Sequence, residues 1–259
     1  MEKKKGISGS TLKMIAIVTM LIDHIGAAVL ARLLMVNGLG ELDQTSTDAI
    51  MQWLSANGAL YGTYTVMRMI GRVAFPIFCF LLVEGFLHTH DVKKYAMRLG
   101  LFALLSEIPF DLAFSSKILE FNYQNVFFTL FIGLLTMIAY RAVEEKEEWG
   151  QAWKVILYIL IVAAGMALAY FLKTDYAEKG VFCIMVLYIF RKKKRWQLIA
   201  GCASFIWETP ALFGFIPIAF YNGTRGWKMK YFFYIFYPAH LLILYLLCYF
   251  MGISGYSAV

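Results

Sequence analysis

Apolar residues fall in long runs separated by short charged turns, and the length of each run limits what it can form. Nine runs stand out: long ones at 12–36, 64–88, 93–114, 123–142 and 152–172, short ones at 177–190, 196–208 and 210–221, and a last long one at 231–251. A helix rises about 1.5 Å per residue and a bilayer core is about 30 Å thick, so the long runs can cross a membrane. The short runs cannot, which predicts helices that are buried, tilted or paired as re-entrant hairpins. Broken backbone at that depth needs protein or a cavity beside it, so Glu208-Thr209-Pro210 reads as a cavity wall. The prediction is an all-α, polytopic transmembrane bundle with about 8–9 membrane segments, forming one domain over 1–259. The stretch 37–63, rich in Gly, Ser, Thr and acids, reads as an outer loop.

Composition removes the soluble classes: 61% of residues are hydrophobic and the mean hydropathy is +0.65. Lys3-Lys4-Lys5 before an apolar stretch has the look of a signal peptide. That stretch is too long for one and is interrupted by Asp23-His24, so it reads as the first span. Of the 24 Lys and Arg, 17 fall on one side when spans alternate, 3 on the other (Lys117, Lys173, Lys179), and 4 within spans (Arg32, Arg68, Arg72, Arg98). The positive-inside rule then makes this a multi-pass plasma-membrane protein with a cytoplasmic N-terminus and an outer C-terminus. The basic excess therefore calls for no nucleic acid. Arg191-Lys192-Lys193-Lys194-Arg195, with Arg225, Lys228 and Lys230, would also attract membrane lipids or an anionic cytosolic cofactor. Cys79, Cys183, Cys202 and Cys248 lack zinc or redox spacing and read as buried thiols.

Ionisable residues at membrane depth are costly and mark function by default. Asp23 and His24 sit in the middle of the first run, and His240 lies at a similar depth in the last one. Two histidines at one depth suggest a shared cavity, and imidazole can take and return a proton near neutral pH. Asp23 cannot share the face of His24, because adjacent helix residues diverge by about 100°. The runs 64–88 and 93–114 form a hairpin in which Glu84 matches Arg98 in depth, Arg72 matches Glu107, and Arg68 matches Asp111. These pairs read either as inter-helix ion pairs or as an anion site using Arg72 or Arg98. His88 and His90 in the turn do not share a helix face, so no metal site is predicted.

Several ordered blocks resemble the TraX family. They are Leu12-Lys13-Met14-Ile15-Ala16 leading to Met20-Leu21-Ile22-Asp23-His24-Ile25-Gly26, Gly71-Arg72-Val73-Ala74-Phe75-Pro76, and Val83-Glu84-Gly85-Phe86. Tyr95-Ala96-Met97-Arg98, Ser106-Glu107-Ile108-Pro109-Phe110-Asp111, Gln124-Asn125-Val126-Phe127-Phe128-Thr129 and Tyr237-Pro238-Ala239-His240-Leu241 complete the set. The resemblance spans nearly the whole chain. It implies a kinship with pilin N-terminal acetylation and with integral-membrane acyltransferases that draw acyl groups from cytosolic acyl-CoA.

The resulting expectation is an acyltransferase that moves acetyl from acetyl-CoA to an extracytoplasmic polypeptide amine or glycan hydroxyl. His24 would be the base or the acyl carrier, with Asp23 and His240 assisting. Arg72, Arg98, Glu84 and Glu107 would meet the substrate, and Arg191 to Arg195 would hold the coenzyme phosphates. Two other classes stand beside it: a secondary transporter or ion path using the same buried charges, and a non-catalytic scaffold, in which His24 and His240 could be replaced by Gln or Leu without effect.

Overall fold

The computed structural model describes residues 5–227 and 230–257, without the side chains of 230 and 231. Lys3, Lys4, Lys228 and the Lys230 side chain of the basic face lie outside that description. The expected all-helical bundle is what forms: 76% of the described residues are helical, and among them five stretches are long and apolar enough to cross a membrane. This is a polytopic membrane protein.

The first span is one continuous rod made of α1 (Gly9–Ile25), a π-helical turn (Gly26–Leu30) and α2 (Ala31–Val36). Ser8 starts it by accepting the Thr11 backbone N–H, which meets one of the unpaired donors at the helix start.

The stretch expected to be an outer loop is instead mostly helix. Thr47–Gly71 forms α3, capped by Ser46, and it folds back along the first rod. Trp53 Nε1 donates to the Asn37 carbonyl at 2.7 Å at one end, and Gly71 packs on Asp23 at the other. The expected span at 64–88 falls within one stretch, Thr47–His88, long and apolar enough to cross a membrane. A turn at Arg72-Val73 interrupts it, and α4 (Ala74–His88) follows with Pro76 in its first turn, where the missing N–H costs nothing.

The helices α5 (Val92–Ser115), α6 (Val126–Glu144) and α7 (Gln151–Phe171) complete the long elements before the C-terminal one. Three short elements follow: α8 (Ala177–Ile189), α9 (Lys194–Ser204), and a 3-10 turn (Thr209–Gly214) running into α10 (Phe215–Ala219). The last helix is α11 (Lys230–Phe250).

Main-chain and side-chain contacts sort the connections onto two ends. Ile7 N–H donates to the Phe220 carbonyl at 2.9 Å and Arg191 pairs with Glu144 at 2.7 Å, which gathers the basic turns at one end. At the other end Gln124 N–H donates to the Lys173 carbonyl at 3.0 Å, and Ser116 Oγ donates to the Ser254 carbonyl at 2.5 Å. The core lies between α1, α4, α6 and α8, where Leu12, Ile77, Phe80, Leu134, Ile184 and Tyr188 are buried. Large apolar residues of α7 such as Ile159 and Leu160 point outward, as a lipid-facing surface requires.

Candidate functional site

His24 and His240 meet. His24 Nδ1 lies 2.6 Å from His240 Nε2, with the two rings nearly parallel at 2°. His240 Nδ1 lies 2.8 Å from the Phe236 carbonyl, which can only accept, so that nitrogen carries the proton. His240 Nε2 is then the acceptor for His24 Nδ1–H. This tautomer leaves the lone pair of His24 Nε2 free. His240 is buried, whereas His24 lines a cavity of about 100 Å³. Phe114 and Tyr237 meet the His24 ring edge-on and hold its plane.

Around the cavity the charged residues pair differently from the depth-matched scheme. Arg68 Nη1 binds Asp23 Oδ2 at 2.6 Å, and Arg72 Nε meets Glu208 Oε1 at 3.4 Å. The packing is the physical reason: α3 and α4 lie against α1 and the 3-10 turn, whereas α5 packs on α11 and α6. Asp23 comes within reach of Arg68 because Gly71 has no Cβ, and any Cβ there would collide with the Asp23 side chain.

Glu107 binds Asn125 instead, and Asp111 accepts the Glu120 N–H at 2.8 Å. These two acids of α5 secure the connection into α6 and do not reach the arginines. Glu84 and Arg98 also do not pair. Glu84 bonds Tyr221 beside Lys194, whereas Arg98 lies toward Asp91 and Tyr95 with its Nε buried and without a hydrogen-bond partner among the described residues. Both belong to the basic end, away from the cavity lining. Of the expected substrate residues, only Arg72 reaches the cavity with His24 and Asp23.

The expected coenzyme run is divided. Arg191 is held by Glu144 and stacks over Tyr188, and Lys194 Nζ is buried over the Phe80 ring. Lys192, Lys193 and Arg195 are exposed at the basic end.

Sequence reasoning missed the far wall, which is formed by Tyr123, Asp175 and Tyr176. Tyr123 Oη donates to Asp175 Oδ1 at 2.7 Å, and Tyr176 lines the same wall as Arg72. Burial raises the Asp175 carboxyl above the usual carboxylate range, while the Tyr123 bond and the two arginines pull it back. The one available signal was the polar step Lys173-Thr174-Asp175 between two apolar runs.

The fold and site together define a polytopic membrane protein with a histidine pair opening on a polar cavity inside its bundle. Comparison with known proteins narrows the class. The chain belongs to the TraX family, whose model, described as TraX protein, matches residues 8–248. A relative from Dichelobacter nodosus, described as a probable fimbrial assembly protein FimC, serogroup H1, is 28% identical over 212 residues, covering 70% of this chain and 82% of that protein. No solved structure matches the chain at a significant level.

Proposed function

We propose that the protein is an integral-membrane acyltransferase of the plasma membrane, its N-terminus cytoplasmic, that moves acetyl from acetyl-CoA to a hydroxyl or amine of an extracytoplasmic acceptor. The observation that carries this reading is the histidine relay on the cavity wall. With Phe236 fixing His240 and His240 fixing His24, the free lone pair of His24 Nε2 can take a proton from an attacking hydroxyl or amine. As His24 becomes cationic, its bond to His240 becomes charge-assisted and strengthens. The same proton then passes to the departing thiolate, so the relay ends as it began.

The basic end suits the donor. Exposed Lys192, Lys193 and Arg195 would hold the coenzyme phosphates, and Arg191 and Lys194 would brace their turn. The helix α8 separates that turn from Tyr176, and its 13 residues span about 20 Å. The coenzyme's pantetheine arm would have to cover this distance past the Arg72–Glu208 contact. The FimC relative makes a surface-fibre subunit the first acceptor to try.

The test is acetyl-CoA binding to detergent-purified protein, with release of free CoA followed in the same sample. Saturable binding with slow release, abolished by His24→Ala, is the expected result. Folded wild-type protein that neither binds nor cleaves acetyl-CoA would overturn the proposal and turn attention to proton-coupled transport.

A further inference from the structure

The connection between α7 and α8 is strained where it borders the cavity. Tyr176 and Ala177 both have positive φ, 63° and 41°, a left-handed backbone that L side chains adopt only at a cost. Strain of this kind persists where surrounding contacts enforce it, and it collects at functional sites.

The enforcing contacts are specific. Asp175 N–H donates to the Gln124 carbonyl at 2.8 Å, its carboxylate accepts from Tyr123, and its carbonyl accepts from Thr129 Oγ1. Ala177 N–H donates to the Thr174 carbonyl at 2.8 Å. The Tyr176 ring lies flat on Phe75, with centroids 3.6 Å apart. Together these contacts carry a phenol into the cavity that His24 also lines.

Arg72 lines the same cavity and carries donors only, so it cannot take the phenolic proton of Tyr176. The phenolic O–H is left to donate to whatever occupies the cavity.

We propose that Tyr176 is a catalytic residue whose hydroxyl donates to the acyl carbonyl oxygen as that oxygen gains negative charge. The inference rests on the acyltransferase reading above. The acceptor's oxygen or nitrogen bonds to the carbonyl carbon while its proton moves to His24 Nε2. The carbonyl π pair shifts to oxygen, where the Tyr176 O–H meets it, with the Arg72 charge behind the phenol. On collapse the carbonyl re-forms, the carbon–sulfur bond breaks, and the thiolate leaves with the proton from His24. The sum is acceptor plus acetyl thioester giving acetylated acceptor plus thiol.

Tyr176→Phe keeps the ring on Phe75 and removes only the hydroxyl. Loss of one such donor lowers kcat by roughly 100-fold, and KM for acetyl-CoA and the melting temperature should hold. Wild-type kcat in folded Tyr176→Phe would overturn the assignment, as would a fall in kcat matched by an equal loss of folded protein. With His24→Ala inactive, either result leaves the acyltransferase reading standing. Failure of wild-type protein to cleave acetyl-CoA would instead sink both.

Discussion

His240→Phe isolates what the relay contributes. In the native site His240 Nε2 accepts from His24 at 2.6 Å, and the His240 ring stacks on Phe236 with centroids 4.7 Å apart. Phenylalanine keeps the stack and offers no acceptor. His24 Nδ1–H then loses its partner, and the loss grows as His24 takes a proton, because hydrogen bonds to charged groups contribute about 1.5–3 kcal/mol. With about 1.4 kcal/mol per tenfold in rate, kcat should fall by roughly 10- to 150-fold while KM for acetyl-CoA changes little. His240→Gln places an amide oxygen near the same point and should recover part of the rate. The assay is thiol release at saturating acetyl-CoA, with a thermal scan of each variant in detergent. Wild-type kcat in folded His240→Phe would refute the relay and, with it, the tautomer assigned to His24.

The packing and the charge distribution set four further outcomes. Gly71→Ala drives a methyl into the Asp23 side chain and should cost about 1–3 kcal/mol by overpacking, read as a lower melting temperature. Asn125→Ala removes the cap that accepts from Phe127 N–H and the donor that reaches the Ala103 carbonyl at 2.8 Å. The lost cap and the buried Glu107 carboxylate, left without its Asn125 Nδ2 donor, together should cost about 2–4 kcal/mol in the same scan. Replacing Lys192, Lys193 and Arg195 with Gln should raise KM for acetyl-CoA several-fold at unchanged kcat, and added salt should shrink the difference between variant and wild type. Arg191→Gln should instead lower stability, because Arg191 is already bound to Glu144.

The sequence was legible in depth and not in azimuth. Counting residues placed His24 and His240 at one level, and they meet there because both face the bundle interior. Counting also placed Arg72 level with Glu107, yet α3 and α4 pack on α1 and the 3-10 turn and not on α5, which leaves Arg72 beside Glu208. Nothing in a depth calculation says which helices are neighbours. The helix α3 was hidden for a different reason. Its polar side chains turn back on their own backbone: Asn57 Nδ2 donates to the Trp53 carbonyl at 3.2 Å, Thr63 Oγ1 to Ala59 at 2.8 Å, and Thr65 Oγ1 to Tyr61 at 2.9 Å. Groups satisfied in this way cost less at an apolar surface than their hydropathy implies. The far wall at Asp175 and Tyr176 was illegible because its geometry depends on strained φ values that no propensity favours.

The π turn in the first rod explains a second residue whose depth alone said little. His24 and Arg32 are eight apart, which on a regular helix puts them about 80° apart in azimuth. The π turn at Gly26–Leu30 takes up one extra residue and rotates α2 back by about 100°, bringing the two to within roughly 20° of one face. Arg32 is fully buried in consequence. Its guanidinium donates to the Ala28 carbonyl at 2.8 Å, the Ala113 carbonyl at 2.5 Å, Ser116 Oγ at 2.9 Å and the Tyr256 carbonyl at 2.9 Å. It thereby ties the π turn, the end of α5 and the C-terminal tail into one corner behind the histidines. Arg32→Met fills similar space and takes away the donor of the Ala113 carbonyl in the last turn of α5, while Ala28 keeps Cys248 Sγ and Tyr256 keeps Ser116 Oγ, so the loss should be about 1–3 kcal/mol. The melting temperature should therefore drop, while kcat per folded molecule stays near wild type, because Arg32 does not line the cavity. A fall in kcat at an unchanged melting temperature would show that this corner acts on the chemistry and is more than a brace.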